Sequence, residues 1–229
     1  MTSIDALISQ KDSLAYWNNI DSTVNGMMGG YPHISRVDIR GSLNFISKLR
    51  SRRPKSILSR AADIGAGIGR VTAGVLSRTA STIDIVEPVS KFADQARQLG
   101  SDGGLTTMGD GRVGQVYVCG VEDWIPERKY DLIWIQWCLG HLKTEQAVTC
   151  LVRCGEALSE GGWIAVKENL STNVTGEDVF DELDSSVTRT DASYRALFMS
   201  AGLKVCMTEL QKGFPSELFP VRMYALRPS

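Results

Sequence analysis

The chain contains a glycine-rich turn at Asp63-Ile64-Gly65-Ala66-Gly67-Ile68-Gly69-Arg70. A short apolar run, residues 57–64, leads into this turn, and a segment of helical character, residues 70–78, follows it. A strand that turns sharply into a helix needs glycine where φ is positive or where a ligand lies against the backbone. The spacing is G-x-G-x-G, whereas a dinucleotide fingerprint has its third glycine one residue later, at the position of Arg70. This spacing disfavours a nicotinamide-dependent oxidoreductase.

Strands and helices alternate along the rest of the chain. Strands are predicted at residues 57–64, 82–86, 115–119, 130–136, 163–167, 203–210 and 221–226. Helices are predicted at 70–78, 90–99, 144–158 and 191–201, and the glycine-rich residues 101–114 are predicted to form an exposed loop. Strands separated by helices indicate a parallel sheet covered on both faces. Because no helix separates the last two strands, we expect an α/β fold with a seven-stranded, mostly parallel sheet and an antiparallel edge.

Residues 1–50 are expected to form a helical extension in front of this sheet. Residues 13–20 have the character of a helix end, and residues 38–49 repeat apolar side chains on one helical face. Between them, residues 23–34 contain three glycines and a proline, which exclude a long helix. The sequence shows no internal repeat or low-complexity linker. We therefore expect a single domain over residues 1–229, with the extension and an ordered loop at 1–50 and the core at 51–229.

The composition is that of an ordinary soluble globular protein. Of the 229 residues, 43% are hydrophobic and 22% are charged, and the formal net charge is −1. This charge gives no general attraction to nucleic acid or to anionic membranes, and no apolar run approaches about 18 residues. Residues 1–13 lack the apolar centre of a secretory signal. We therefore expect a monomer with neither nucleic acid nor membrane as a partner.

The five cysteines are an odd number and show no C-x-x-C spacing. Cys150 and Cys154 lie one helical turn apart, which suits a packed helix face better than a disulfide. Because His33 and His141 are the only histidines, the sequence offers few ligands for a zinc site, and no metal is expected. Reduced, mostly buried thiols indicate an intracellular protein, cytoplasmic or nuclear. The basic segment 48–55 is interpreted as a solvated helix end and loop, with a substrate-binding patch as the alternative.

Polar residues follow the predicted strands at their carboxyl ends, where open α/β sheets bind ligands. Gly65, Gly67 and Gly69 follow the first strand, Glu87 follows the second, and Glu122 follows the third. An acidic residue about 20 positions after a glycine turn is suited to bind both hydroxyls of a ribose. Considered alone, Glu87 is equally consistent with a solvated carboxylate in a turn. Together with the glycines, it favours a nucleoside ligand.

Four further blocks of sequence accompany the glycine turn. They are Y-W-N-N-I at 16–20, G-M-M-G-G-Y-P-H-I-S at 26–35, I-W-I-Q-W-C-L-G-H-L at 133–142 and L-D-S-S-V-T-R at 183–189. With the turn, these blocks resemble the α-N-terminal protein methyltransferases over residues 16–227. The resemblance implies a class I, Rossmann-like methyltransferase fold that uses S-adenosylmethionine. It also implies methylation of the free α-amine of proteins beginning X-Pro-Lys, so that the partners are protein or peptide N-termini.

The resemblance implies that the cofactor contacts Gly65, Gly67, Arg70, Glu87, Val121, Glu122 and Gln136. Arg70 is expected to meet the methionine carboxylate through charge-assisted hydrogen bonds. A surface ion pair at the helix N-terminus is the alternative for this arginine. Glu87 stands where the family has an aspartate, and its extra methylene is expected to preserve the ribose contact with a shifted backbone.

The implied reaction requires a proton acceptor, because a protonated α-amine has no lone pair with which to attack a methyl group. Asp184 and His141 match the proton-accepting pair of the family. Considered alone, His141 is more consistent with a structural histidine after a strand. The run Asp184-Ser185-Ser186 is also consistent with a helix N-cap. Within the matching blocks, we favour the catalytic roles.

The resemblance also implies substrate contacts from Trp17, Met28, Gly29, Ile34, Trp137, Asn169, Asp181 and Ser186. The two tryptophans are expected to flank the amine and the proline ring, and residues 26–33 to close over the substrate. The acidic segment 177–184 is interpreted as a solvated loop face or as an attraction for a cationic N-terminus. Two alternatives remain, a small-molecule amine methyltransferase and a catalytically silent module that binds S-adenosylmethionine. The presence of both Asp184 and His141 argues against the silent module.

Overall fold

The computed structural model describes residues 3–51, 57–101 and 109–229 of the chain. The strands are Leu58–Ile64 (β1), Ala80–Val86 (β2), Arg112–Tyr117 (β3), Tyr130–Gln136 (β4), Leu158–Asn169 (β5), Val179–Asp181 (β6), Ser186–Thr188 (β7), Leu203–Leu210 (β8) and Val221–Pro228 (β9). The helices are Gln10–Asn19 (α1), Val24–Met27 (α2), Ser35–Arg50 (α3), Arg70–Gly74 (α4), Ser90–Ser101 (α5), Thr144–Glu156 (α6) and Asp191–Ser200 (α7). Short 3-10 turns occur at Ile4–Leu7, Pro32–Ile34, Leu76–Arg78 and Leu139–His141.

Seven strands form one sheet in the order β3-β2-β1-β4-β5-β9-β8. The first five strands in this order pair in parallel, and β9 runs antiparallel to both β5 and β8. The predicted α/β fold with a seven-stranded, mostly parallel sheet is therefore confirmed. The antiparallel strand lies one position inside the β8 edge.

Helices cover both faces of the sheet. One core contains Ile133 of β4 and packs it with residues of α6 and α7, such as Leu151. The opposite core contains Leu132 of β4 and packs it with residues of α3 and α4, such as Phe45. Successive side chains of a strand point to opposite faces, so a strand covered on both sides is apolar at nearly every position. The apolar run at residues 132–135 of β4 has this cause.

The direction in which successive strands are added to the sheet reverses at β1. This strand pairs with β2 on one side and with β4 on the other. The connection from β1 to β2 and the connection from β4 to β5 therefore lead away from each other. A crevice opens between them at the carboxyl ends of the strands, and open α/β sheets bind their ligands there. The glycine turn at residues 65–69 lies at this point.

The structure differs from several predicted bounds. The predicted helix at 70–78 is divided into α4 and the 3-10 turn at Leu76–Arg78. Residues 112–114 belong to β3 rather than to the predicted loop, and residue 158 begins β5 because α6 ends at Glu156. No prediction covers the hairpin formed by β6 and β7. Asp184 lies in the turn of this hairpin, so the alternative of a helix N-cap is wrong.

The N-terminal extension is helical, as predicted, and the predicted helix end at residues 13–20 is the C-terminal part of α1, which begins at Gln10 and ends at Asn19. Residues 23–34 form only the short α2 and a 3-10 turn, which agrees with the predicted absence of a long helix. Lys48 lies at the exposed end of α3 and pairs with Glu209 at 2.6 Å. Residues 52–55 of the basic segment lie outside the described residues.

Cys150 and Cys154 are buried on α6, which confirms the prediction of a packed helix face. All five cysteines are free thiols in the structure. None of the helices in the described parts of the chain is long and apolar enough to cross a membrane.

Candidate active site

A cavity of about 240 Å³ occupies the crevice beside β1 and β4. Its walls come from the loops that follow β1, β2 and β4, from residues 120–123 and from α1. Ten of the predicted site residues line it, namely Trp17, Gly65, Gly67, Arg70, Glu87, Val121, Glu122, Gln136, Trp137 and His141. Among the residues that the structure describes, no group of His, Cys, Asp and Glu is placed to hold a metal ion.

The other predicted site residues lie outside the cavity lining, namely Met28, Gly29, Ile34, Asn169, Asp181, Asp184 and Ser186. In the loop at 26–33, the side chain that faces the cavity is Met27 instead. The Met27 sulfur lies 2.7 Å from the position that a Cβ on Gly67 would occupy. This loop therefore already rests against the glycine turn.

The glycine turn forms the base of the cavity. Gly65, Gly67 and Gly69 have φ values of 66°, 57° and 79°, a left-handed conformation that favours glycine. A Cβ on Gly65 would lie 2.7 Å from the Cβ of Cys138, so the close approach of the β1 and β4 loops also requires glycine. The backbone is therefore bare where a ligand would rest.

Glu87 lies at the end of β2 with its carboxylate turned back toward the glycine turn. The backbone N–H of Gly67 donates to one carboxylate oxygen at 2.7 Å, and that of Val89 donates to the other at 2.8 Å. The residue is only 5% exposed, so the alternative of a solvated turn carboxylate is wrong. Burial raises the pKa of Glu87 to about 7, although both N–H donors oppose the shift. Each carboxylate oxygen keeps a lone pair for a further donor.

A buried ion-pair network connects α3 with α4 and β5. The carboxylate of Asp38 pairs with Arg70 at 2.7 Å and with Lys167 at 2.5 Å, and no side-chain surface of Asp38 or Lys167 is exposed. Burial opposes the ionisation of Asp38, but the charges of Lys167 and Arg70 outweigh it and lower its pKa. Arg70 does form an ion pair, but its side chain is only 8% exposed, so the alternative of a surface pair is wrong. The network presents the guanidinium at the cavity wall.

Gln136 ends β4 and joins this network. Its amide nitrogen donates to Asp38 at 3.1 Å, and its amide oxygen accepts a hydrogen bond from the Trp134 indole at 3.0 Å. The side chain is therefore held within the protein while the residue lines the cavity.

One face of α1 forms the roof of the cavity. Gln10, Ser13, Leu14 and Trp17 follow one another at the i, i+3, i+4 and i+7 positions of this helix, and all four line the cavity. Gln10 also donates to the Glu122 carboxylate at 2.5 Å. Of these four residues the prediction identified only Trp17, because it recognised the end of this helix and not its beginning. The signal was present, since Ser9 is a recognisable N-cap and accepts from the N–H of residue 12.

His141 follows β4 and is held by two side chains of α1. The Trp17 indole N–H donates to His141 Nε2 at 3.3 Å, and the Ser13 hydroxyl lies 2.9 Å from Nδ1. Burial lowers the pKa of His141 below its ordinary value, and the negative charges of Asp184 and Asp181 oppose this shift. The imidazole is therefore neutral near pH 7, and it lies close enough to Asp184 for the carboxylate charge to affect its pKa.

Glu168 supports the segment that carries Trp137 and His141. Its buried carboxylate accepts hydrogen bonds from the backbone N–H groups of Cys138 and Leu139 at 3.0 and 2.9 Å. Trp137, just before these residues, has a φ of 55°. For a bulky residue this conformation persists only where its surroundings enforce it.

Two polar atoms at the site are buried without a hydrogen-bond partner in the described part of the chain, the indole nitrogen of Trp137 and a carboxylate oxygen of Asp184. An unpaired buried polar group is unfavourable unless a ligand or water meets it. Of the two residues, Trp137 lines the cavity and Asp184 lies outside its lining. The indole supplies a donor and the carboxylate supplies an acceptor. A ligand that carries both an N–H group and a carbonyl would satisfy the two.

Comparison with known proteins identifies the family. The model of a family described as AdoMet dependent proline di-methyltransferase matches residues 5–227. The chain belongs to this methyltransferase family. The chain is 46% identical to the alpha N-terminal protein methyltransferase 1 of Schizosaccharomyces pombe, over 95% of both chains. It is 38% identical to the N-terminal Xaa-Pro-Lys N-methyltransferase 1-A of Xenopus laevis, over 93% of this chain and 92% of the relative.

Solved structures agree with the assignment of this chain to a methyltransferase family. A SAM-dependent methyltransferase of Leishmania major superposes with a TM-score of 0.84 at 36% identity, covering 95% of this chain and 82% of that one. The magnesium protoporphyrin IX methyltransferase of Synechocystis, solved with bound SAM, has a TM-score of 0.63 at 13% identity, over 94% and 91% of the two chains. At that identity, the likeness concerns the fold alone. The protein is thus an S-adenosylmethionine-dependent enzyme of the class I fold.

The residues of the cavity fit S-adenosylmethionine. Gly65 and Gly67 line the cavity with backbone alone, and Glu87 offers acceptors suited to ribose hydroxyls. Arg70 provides a cation for a carboxylate. The apolar side chains of Phe92 and Val121 line the cavity beside Glu122 and are suited to the faces of an adenine.

Proposed function

We propose that this methyltransferase methylates the free α-amino group of proteins with X-Pro-Lys-like N-termini. The names of the Schizosaccharomyces pombe and Xenopus laevis relatives support protein N-termini as the substrate class. The observation that carries the proposal is the unpaired carboxylate oxygen of Asp184, buried next to the neutral imidazole of His141. A half-buried carboxylate beside a neutral base suits a substrate that arrives as an ammonium ion.

The cofactor would be held by Gly65, Gly67, Arg70, Glu87, Val121, Glu122 and Gln136. When bound, S-adenosylmethionine supplies an electrophilic methyl group. The roof formed by α1 covers part of this cavity. Reduced contact with water strengthens the electrostatic interactions of Arg70 and Glu87 with a bound molecule.

The catalytic step that the protein itself performs is the removal of a proton. Asp184 attracts the substrate ammonium and orients it, and His141 accepts its proton at a ring nitrogen. The N–H bond of the ammonium breaks, its electron pair stays on the amine nitrogen, and the proton is bound by the imidazole. The positive charge that then forms on His141 is stabilised by the carboxylate of Asp184.

The rest of the substrate would be held outside the cofactor cavity by Trp17, Met28, Gly29, Ile34, Trp137, Asn169, Asp181 and Ser186. Trp137 donates its unpaired indole N–H to a substrate carbonyl, and its ring flanks the proline. Asp181 is exposed on the β6–β7 hairpin and attracts the lysine at the third position. The chain acts as a monomer, and its net charge of −1 gives no support to a nucleic acid or membrane partner.

The second candidate is methylation of a small amine, since the cavity does not itself require a peptide. A peptide panel separates the two functions. Activity that is indifferent to proline and lysine at the second and third positions would favour the small-amine function. Activity that falls when either residue is replaced supports the proposed one.

The direct test is mass spectrometry of a Ser-Pro-Lys-Arg peptide incubated with the protein and S-adenosylmethionine, beside an N-acetylated control. We expect a gain of whole methyl units on the free peptide only. Asp184→Asn, which retains the shape of the carboxylate, should lower kcat by about 10²–10⁴-fold, the usual contribution of acid–base groups. Calorimetry should show unchanged cofactor binding by this variant, and a loss of binding would point to a structural role for Asp184.

A further inference from the structure

The protonation state of His141 can be assigned from its two partners on α1. The Trp17 indole nitrogen is a donor only, so His141 Nε2, 3.3 Å away, must be unprotonated and accept the hydrogen bond. In a neutral imidazole the other nitrogen carries the proton. Nδ1 therefore donates, and the Ser13 hydroxyl oxygen, 2.9 Å away, accepts.

Ser13 is placed to hold this arrangement through the reaction. It lies on the second turn of α1 with 6% of its surface exposed, so bulk water has little access to replace its oxygen. The charged groups that face His141 are Asp184 and Asp181, both on the β6–β7 hairpin. Ser13 and Trp17 face it from α1. The backbone of Asp184 also offers a hydrogen bond to the imidazole. Ser13 is the side-chain partner of Nδ1.

We propose that Ser13 is a positioning residue for methyl transfer, whose hydroxyl oxygen accepts the Nδ1–H of His141 and so makes Nε2 the nitrogen that takes the substrate proton. The inference rests on the proposed role of His141 as a proton acceptor. When the ammonium replaces the Trp17 indole at Nε2, its N–H bond breaks and an N–H bond forms on Nε2. The resulting imidazolium has two N–H donors, and the one on Nδ1 stays bonded to Ser13.

The direction in which the His141 pKa changes when Ser13 is replaced tests this assignment. An acceptor on Nδ1 stabilises the imidazolium more than the neutral ring, because hydrogen bonds from charged donors are the stronger ones. Ser13→Ala should therefore lower the His141 pKa by roughly half a unit to one unit. If Ser13 instead donated to Nδ1, it would stabilise the neutral ring, and its removal would raise that pKa.

The experiment is an NMR titration of the full-length protein labelled with ¹⁵N-histidine, which contains only His33 and His141. The spectrum of His33→Gln identifies the His141 resonances. A pKa that falls in Ser13→Ala and recovers in Ser13→Thr, which keeps the hydroxyl, supports the proposal. An unchanged or raised pKa in Ser13→Ala overturns it. Ser13→Ala removes a single atom, and its melting temperature confirms that it folds.

Kinetics complete the test and separate it from the proposed function. With the Ser-Pro-Lys-Arg peptide, Ser13→Ala should lower kcat by about tenfold with little change in KM, less than the full contribution of a general base. A wild-type kcat in Ser13→Ala, beside an impaired His141→Asn, would overturn the positioning role alone. A wild-type kcat in His141→Asn would instead remove the proton-acceptor role of His141, and the positioning role of Ser13 with it.

Discussion

Glu87 couples the binding of the cofactor to a proton. Its pKa is raised to about 7 by burial, and ribose hydroxyls donate to the ionised carboxylate. Binding below pH 7 therefore requires that Glu87 lose a proton. We expect the affinity for S-adenosylmethionine to rise with pH, by at most about tenfold per unit, up to about pH 7 and then to level off.

Calorimetry at pH 6, 7 and 8 measures this dependence. Glu87→Gln cannot ionise, so its affinity should be lower at pH 8 and should lack the part of the rise with pH that Glu87 contributes. The variant also controls for titration of the cofactor itself, which is common to both proteins. Equal pH dependence in the two proteins would show that Glu87 is not the coupled group.

Asp38 neutralises two buried cations, so its loss should be far more damaging than the loss of a surface carboxylate. Asp38→Asn leaves Arg70 and Lys167 without their counter-ion, and breaking such a buried pair typically costs about 3–5 kcal/mol. The matched control is Glu209→Gln, which breaks the exposed pair with Lys48 and should cost less than about 1 kcal/mol. Urea unfolding of the three proteins measures the difference. Similar midpoints for both variants would contradict the prediction.

At the scale of elements, the turn between β1 and α4 combines a conformational need for glycine with a steric one. Gly65→Ala places a methyl group in a left-handed conformation and 2.7 Å from the Cβ of Cys138. Gly176 has a similar φ of 72° but nothing within 4 Å, so Gly176→Ala isolates the conformational cost of about 1–2 kcal/mol. We expect Gly65→Ala to lose more stability than Gly176→Ala, and to lose binding of S-adenosylmethionine in calorimetry. Equal losses would mean that the Cys138 contact relaxes freely.

The elements that could be predicted from the sequence are those with a long hydrophobic repeat. The bounds of β4 and β8 agree with the prediction, since each strand has seven or eight residues of regular pattern. The hairpin of β6 and β7 has only three residues in each strand, too few for a repeat to be recognised. Its place in the fold comes instead from contacts with the 3-10 turn at Ile4–Leu7, which are distant in sequence.

At the scale of the whole molecule, the N-terminal extension closes the cofactor site. Gln10, Ser13 and Trp17 of α1 line the cavity, so binding of S-adenosylmethionine should hold α1 more firmly in place. We expect slower amide hydrogen exchange in α1 when the cofactor is added, whereas α7, which packs on the sheet away from the cavity, serves as the internal control. Equal exchange in α1 with and without the cofactor would show that α1 does not take part in binding.

The candidate site could be predicted only in part, because some of its contacts depend on how the whole molecule packs. Residues that follow strands meet at one edge of a parallel sheet, so Gly65, Glu87 and His141 could be placed together from the strand pattern alone. The contact between Asp38 and Lys167 joins positions 129 residues apart. Ser13 reaches His141 across 128 residues. Such pairs arise from how the extension packs on the core, and no local pattern in the sequence indicates them.

The left-handed backbone of Trp137 has an evolutionary consequence. A large aromatic residue at a φ of 55° is unfavourable, and glycine or asparagine would adopt that conformation with less strain. Selection for cellular abundance alone should therefore tolerate smaller residues at position 137 that selection for turnover rejects. In a library of variants scored for cellular abundance and for turnover, smaller residues at position 137 should be accepted by the first score and rejected by the second. Such a result would show that the chain retains tryptophan for its chemistry at the expense of its own stability.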